Sequence, residues 1–201
     1  MPSTHQAKTD LRDKIRAVLR SMPHEQTELL SAKILPQVMA CLEGLPHGAV
    51  VSLFGGIKSE PKLHSLLPWM KERGLRAVFF RTDGQGNMTA HEVRDERDLT
   101  PGVFGVLEPV VREGSAVDVA QLDVALVPGL AFGVRDGSRL GRGKGYYDRV
   151  LNAPEFRAQR IGVCFALQCQ DSVPHEAHDA LMDVIVTEDG ALSVNNRPRE
   201  L

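Results

Sequence analysis

Apolar residues recur at helical spacing early in the chain and in continuous runs further on. Leu11, Ile15, Val18 and Leu19 make one apolar face of a helix expected from Thr9 to Met22. A second helical run is expected from Gln26 to Leu45, with Pro36 kinking or splitting it. After that the texture changes. The runs Ala49–Phe54, Arg76–Phe80, Leu122–Pro128, Arg160–Phe165 and Asp183–Thr187 read as buried strands, and Met88–Val93 as a further short one. Lys62–Arg73 reads as a helix capped by Gly74, Thr82–Asn87 as a turn, and Arg112–Gln121 as a loop. A helix is expected to begin near Tyr146.

Strands that alternate with helices, and whose apolar runs are continuous rather than alternating, indicate a mostly parallel sheet covered on both faces. The expected fold class is therefore α/β, a three-layer α/β/α arrangement with a mostly parallel central sheet. The length of 201 residues suits one domain over 1–201. No internal repeat, low-complexity segment or linker interrupts it.

Composition narrows the function. Hydrophobic residues make up 42% and charged residues 25%, with a net charge of −2. That balance offers no global attraction to nucleic acid, and aromatics at 5% leave little for base stacking. No apolar run is long enough to span a membrane, and the polar N-terminus has no signal core. Three cysteines without a CxxC pair argue against a disulfide framework or structural zinc. A cytoplasmic location is expected.

The densest chemistry lies in residues 129–145, where six of the chain's 18 glycines fall within 17 positions. A long loop at the carboxyl end of a strand, running into a helix, is where open α/β sheets bind ligands. Glycines there let backbone N–H groups approach a phosphate, and Arg139, Arg142 and Lys144 add positive charge. Asp148, in the first helical turn, suits Mg²⁺. No GK[ST] follows, so this is not a Walker A loop. The competing reading is a flexible basic loop with an ordinary first-turn aspartate. Lys8, Arg12, Arg16 and Arg20, four apart, form a basic stripe that charge alone reads as a solvated face. Glu60 follows the Gly55-Gly56 turn, either as a helix-start acid or as a ligand for a polar group. His175 and His178, three apart, suit one helix face, but without a third ligand a structural or surface role is expected. Cys164 and Cys169 are expected as core thiols.

With these residues in view, the chain resembles the 5-formyltetrahydrofolate cyclo-ligase family over nearly its whole length. The resemblance runs through Lys8-Thr-Asp-Leu-Arg12, Gly105-Val-Leu-Glu-Pro109, Asp123–Gly129, the long signature Gly137–Arg149, Gln168, Pro174–Asp179 and Asp183–Glu188. It implies an ATP- and Mg²⁺-dependent conversion of 5-formyltetrahydrofolate to 5,10-methenyltetrahydrofolate through a phosphorylated formyl oxygen. By position, it implies that Lys8 and Arg12 contact ATP phosphates, which turns the stripe from a solvated face into a binding face. Arg139, Leu140, Gly141, Arg142, Gly143, Lys144, Gly145, Tyr146 and Tyr147 would form the nucleotide loop. Residues 142–146 would also meet the folate, together with Gly55 and Glu60. Arg142 and Lys144 would serve the chemistry, and Asp148 and Asp183 would hold Mg²⁺. A monomer acting on folate and ATP, without nucleic acid or membrane, is expected.

Three places depart from the family's pattern: Pro61-Lys-Leu63 after Glu60, Phe80 before Arg81, and Gly133 after Phe132. The first and the third motivate one alternative, a non-catalytic folate- or nucleotide-binding relative. A sugar-phosphate isomerase or transferase on a similar scaffold is a second alternative, since fold alone does not decide chemistry.

Overall fold

The structure, a computed structural model, describes residues 3–102 and 105–194. Met1, Pro2 and residues 195–201, part of the single-domain expectation, lie outside the described residues. The first helix, α1 (Thr4–Ser21), begins five residues earlier than the apolar pattern alone indicates. Ser3 is the reason: its Oγ accepts from the Gln6 N–H and caps the first turn. The second, α2 (His24–Leu42), runs through Pro36 without a break. Pro36 and Ala32, four residues before it, are both exposed, so water can satisfy the carbonyl that the proline leaves unbonded. Thr27, Ser31, Ile34, Val38 and Leu42 form its buried stripe.

The strands are β1 (Val50–Leu53), β2 (Arg76–Thr82), β3 (Met88–Val93), β4 (Leu99–Pro101), β5 (Leu107–Pro109), β6 (Ala116–Val117), β7 (Val124–Val127), β8 (Ala131–Gly133), β9 (Arg139–Leu140), β10 (Gln159–Val163), β11 (Cys169–Gln170), β12 (Val184–Thr187) and β13 (Gly190–Ser193). A third helix, α3 (Leu67–Glu72), is shorter than expected, because a 3₁₀ turn over His64–Leu66 precedes it; α4 spans Tyr146–Leu151. The main sheet has eight strands in the order β13-β12-β10-β7-β1-β2-β3-β6. Its centre, from β12 to β2, is parallel, and the flanking β13, β3 and β6 pair antiparallel.

Two apolar clusters sandwich this sheet. One joins Ile15, Leu19, Ile34, Val38 and Met70 of the first three helices to Val51, Leu53, Phe79 and Leu126. The other packs Val50, Val78, Val127 and Ile185 against Leu151 of α4, Phe156 and Phe132. The two outer layers are thus unequal: long helices on one face, and a short helix with irregular chain on the other.

Two expected loops contain strands. Residues 129–145 include the hairpin β8–β9, paired Ala131↔Leu140 and Phe132↔Arg139, with β11 alongside β8. Buried Gln168 pins it by donating through Nε2 to Gly129 O (2.8 Å) and Leu130 O (3.1 Å). Within 112–121 lies β6, which completes the sheet edge beside β3.

Strand β1 pairs with β2 on one side and β7 on the other. The chain therefore leaves the carboxyl ends of β1 and β7 at a switch point, where an open α/β sheet has a crevice. At the opposite edge, Asp123 and Asp183 play matching parts. Asp123 Oδ2 accepts from Val50 N–H and Asp183 Oδ2 from Arg160 N–H, both at 2.8 Å.

Candidate functional site

A cavity of about 410 Å³ opens at that switch point. Phe54, Gly55, Gly56 and Glu60 come from the end of β1, Pro128 and Gly129 from the end of β7, and Phe80, Thr82 and Met88 from β2 and β3. Val106 and Glu108 close one side; Arg139 and residues 141–148, except Gly143, close the other. One wall is thus apolar and the other is cationic backbone.

Local sequence explains the close packing. A Cβ on Gly55 would run into the Leu107 backbone, so glycine is what allows β5 to lie against the end of β1. Gly143 (φ 102°) and Gly145 (φ 67°) hold left-handed conformations that turn the chain into α4.

The loop is clamped from behind by α1. Arg12 Nε donates to Gly141 O (3.1 Å) and Arg16 Nη2 to Arg142 O (3.1 Å). Lys8 sits one turn earlier, and its ammonium is committed to Asp179 Oδ2 (2.5 Å) and Glu176 Oε2 (2.9 Å) rather than aimed into the cavity. Burial disfavours the Lys8 charge, but these two carboxylates outweigh it and raise its pKa. Arg20 is exposed and makes no such contact. Residues 174–179 form no helix, so His175 and His178 share no helix face. His175 Nδ1 lies 3.0 Å from Val173 O, and exposed His178 lies beside Glu176 and Asp179.

Inside the cavity two ion pairs fix the cations. Arg142 donates through Nε (2.9 Å) and Nη2 (2.7 Å) to Glu60 Oε1, while Glu60 Oε2 takes the Ile57 N–H. Buried Arg139 donates to Pro128 O (3.1 Å) and Asp148 Oδ1 (2.6 Å). Its Nε has no partner among the described residues. Lys144 is exposed and forms no ion pair among the described residues. Tyr147 stands edge-on to Phe80, centroids 5.8 Å apart, and burial pushes its phenol well above the usual value. Tyr146 has the Arg149 guanidinium 5.5 Å from its ring. Leu140 is buried in β9 and contributes backbone, its carbonyl accepting from Leu130 N–H.

The donor set fits a Mg-nucleotide. Asp148 lines the cavity with Arg139, Arg142 and Lys144; Arg139 holds its Oδ1, and its Oδ2 has no hydrogen bond among the described residues. Mg²⁺ needs only one or two protein carboxylates, because phosphate oxygens and waters complete its shell. The second expected carboxylate, Asp183, is not among the residues that line the cavity. Asp183 precedes β12 at the amino edge of the parallel sheet, away from the cavity, and its Oδ2 is bonded to Arg160 N–H. The two aspartates are not brought together.

The departures have structural explanations. Phe80 is a cavity wall and the partner of Tyr147. Pro61 to Leu63 turn away from the cavity toward α2, with Lys62 N–H on Ser31 Oγ and the Lys62 ammonium on Glu28. At Gly133, the Asp136 carboxylate occupies the space a side chain would need, where it binds Ser138 and Ser172. Sequence reasoning missed Phe54, Thr82, Met88, Val106 and Glu108 as cavity residues. Glu108 alone carried a signal, a charge within the otherwise apolar run Val106-Leu-Glu-Pro109.

Comparison with known proteins places the chain in a family. The family model described as 5-formyltetrahydrofolate cyclo-ligase family matches residues 4–188. The chain is 32% identical over 186 residues to the 5-formyltetrahydrofolate cyclo-ligase of Mycolicibacterium smegmatis, covering 90% of this chain and 93% of that one. It is 27% identical over 202 residues to the mouse (Mus musculus) protein of the same name, covering 95% and 98%. The solution structure of Aquifex aeolicus 5,10-methenyltetrahydrofolate synthetase superposes with a TM-score of 0.75 at 30% identity, covering 96% of this chain and 95% of that one. The chain belongs to the 5-formyltetrahydrofolate cyclo-ligase family.

Proposed function

We propose that this chain converts 5-formyltetrahydrofolate to 5,10-methenyltetrahydrofolate, using ATP with Mg²⁺, in the cavity at the β1–β7 switch point. The observation that carries the reading is the division of that cavity. An apolar wall of Phe54, Phe80, Met88 and Val106 suits a flat heterocycle, and it faces the glycine-rich cationic loop that suits a triphosphate.

The chemistry follows from the poor leaving ability of an amide oxygen. The formyl oxygen attacks the γ-phosphorus, and ADP leaves. The N10 lone pair then attacks the activated formyl carbon, N10 loses its proton, and inorganic phosphate departs to give the methenyl bridge. Loop N–H groups and Lys144 receive the phosphates, and Arg142, held by Glu60, lies where it can steady the transferring phosphoryl group. Arg139 orients Asp148, the carboxylate available to a magnesium ion. That ion would neutralise phosphate charge. Tyr146 and Tyr147 add ring surface, and Gly55 leaves room at the apolar wall.

The same reading has the chain act in the cytoplasm as a monomer. Its three cysteines are free thiols, as a reducing compartment keeps them. The test is absorbance of the methenyl product from 5-formyltetrahydrofolate, with ATP or Mg²⁺ omitted as controls. Product that requires both supports the reading. Folded protein that binds ATP and folate without forming product would instead favour a non-catalytic relative.

A further inference from the structure

The cavity holds three carboxylates, and two have cationic partners. Glu60 is held by Arg142 and Asp148 by Arg139. The third, Glu108 on β5, is 6% exposed and has no cation beside it among the described residues. Its one hydrogen bond is from a neutral donor, Thr82 Oγ1 to Oε1, at 3.0 Å. Gly102 packs directly against the carboxylate, where a Cβ would clash with it, and this fixes its position. A buried carboxylate is costly without a counter-charge or a full set of donors. This one lines the apolar wall next to Phe80, Met88 and Val106.

We infer that Glu108 reads the pyrimidine edge of the folate's pterin ring. This rests on the function proposed above and adds a specificity-determining residue to it. The pterin presents two parallel donors, the ring N3–H and the exocyclic 2-amino group. A carboxylate offers two coplanar acceptors, and Oε1 still has a lone pair after Thr82 is counted. Glu60 is the poorer candidate, because Arg142 and the Ile57 N–H already occupy its oxygens. With Glu108 as the reader, Glu60 positions Arg142 and the ring sits against the apolar wall.

The test measures equilibrium binding of 5-formyltetrahydrofolate and of its 2-desamino-2-methyl analogue, without ATP, to wild type, Glu108→Gln and Glu108→Ala. Wild type should bind the analogue roughly 10- to 100-fold more weakly, as expected for loss of a charge-assisted hydrogen bond. In Glu108→Ala the parent should weaken by a similar factor and the parent-to-analogue ratio should fall to about one, with Glu108→Gln between them and ATP affinity unchanged. Equal binding of the two ligands by wild type, or an undiminished ratio in the variants, would overturn the assignment. The wild-type comparison needs no variant to fold. Wild type that forms methenyl product but does not discriminate defeats the role of Glu108 alone. Wild type that neither binds the folate nor turns it over defeats the functional reading as well.

Discussion

Arg142 places two donors, Nε and Nη2, on one oxygen of Glu60, at 2.9 and 2.7 Å. Glu60 is almost buried, while the guanidinium is partly open to the cavity. The glutamate, itself tied to the Ile57 N–H, thus holds the arginine at the junction of the apolar and cationic walls. Glu60→Gln should lower kcat/KM by about 10- to 100-fold, with much of the loss in kcat. A double-mutant cycle with Arg142→Ala should show coupling on the order of 1–3 kcal/mol in transition-state stabilisation. Additive losses would mean that the contact does not position the arginine.

Lys144 is an exposed cation of the loop and makes no ion pair among the described residues. Its removal should leave the fold alone. Lys144→Ala is expected to change stability by less than about 0.5 kcal/mol in a urea melt. KM for ATP should rise by roughly tenfold or more, as a lost phosphate contact would require. Unchanged ATP kinetics would remove the loop from phosphate binding.

The two aspartates expected to share a metal should separate cleanly. Asp148→Ala should shift the Mg²⁺ activation curve to higher concentration or abolish activity. Asp183→Ala leaves the Arg160 N–H without its acceptor and should cost about 1–3 kcal/mol of stability. Its Mg²⁺ dependence should match wild type. A shifted Mg²⁺ curve in Asp183→Ala, measured where the protein is fully folded, would restore Asp183 as a ligand.

Stability should depend on pH through Lys8 and Asp179. Burial alone would raise the Asp179 pKa, but Lys8 and the Glu176 N–H outweigh it and hold the carboxyl below the ordinary aspartate value of 3.8. A depressed acid stabilises the fold above its unfolded pKa and loses that contribution as pH falls through the folded value. The Lys8 pKa is raised above 10.5, so its contribution persists at neutral pH and fades only as pH rises past that value. Lys8→Met should therefore cost about 3 kcal/mol at pH 7, since it strands a largely buried carboxylate. The gap between wild type and Asp179→Asn should close as pH falls below 3.8, as read from urea midpoints. A gap that stays constant with pH would show that the pair is not coupled to folding.

The parallel sheet was legible because its central strands are buried on both faces. Val50–Leu53, Val124–Val127 and Val184–Thr187 are buried at every position, and their apolar residues show no alternation. The hairpin β8–β9 was not, since strands of three and two residues carry no periodicity and Gln168 holds them from far along the chain. The start of α1 was misplaced because a polar first turn has no apolar stripe, only the Ser3 cap. At the site, the glycines, cations and Asp148 announced themselves by residue type. Glu108 showed only as a charge within an apolar run; what distinguishes it is the lack of a cation beside it among the described residues, and counter-charges are assigned only when distant segments meet. Asp183 shows the converse: an aspartate in a matching motif whose backbone partner decides its job.

Arg12 and Arg16 grip the peptide oxygens of Gly141 and Arg142, not their side chains. The attachment of α1 to the loop is therefore indifferent to what residues 142 and 144 carry. Varying Lys144 would therefore leave the frame that presents the loop in place, whereas varying Arg142 would keep the α1 clamp but strand the buried Glu60 carboxylate.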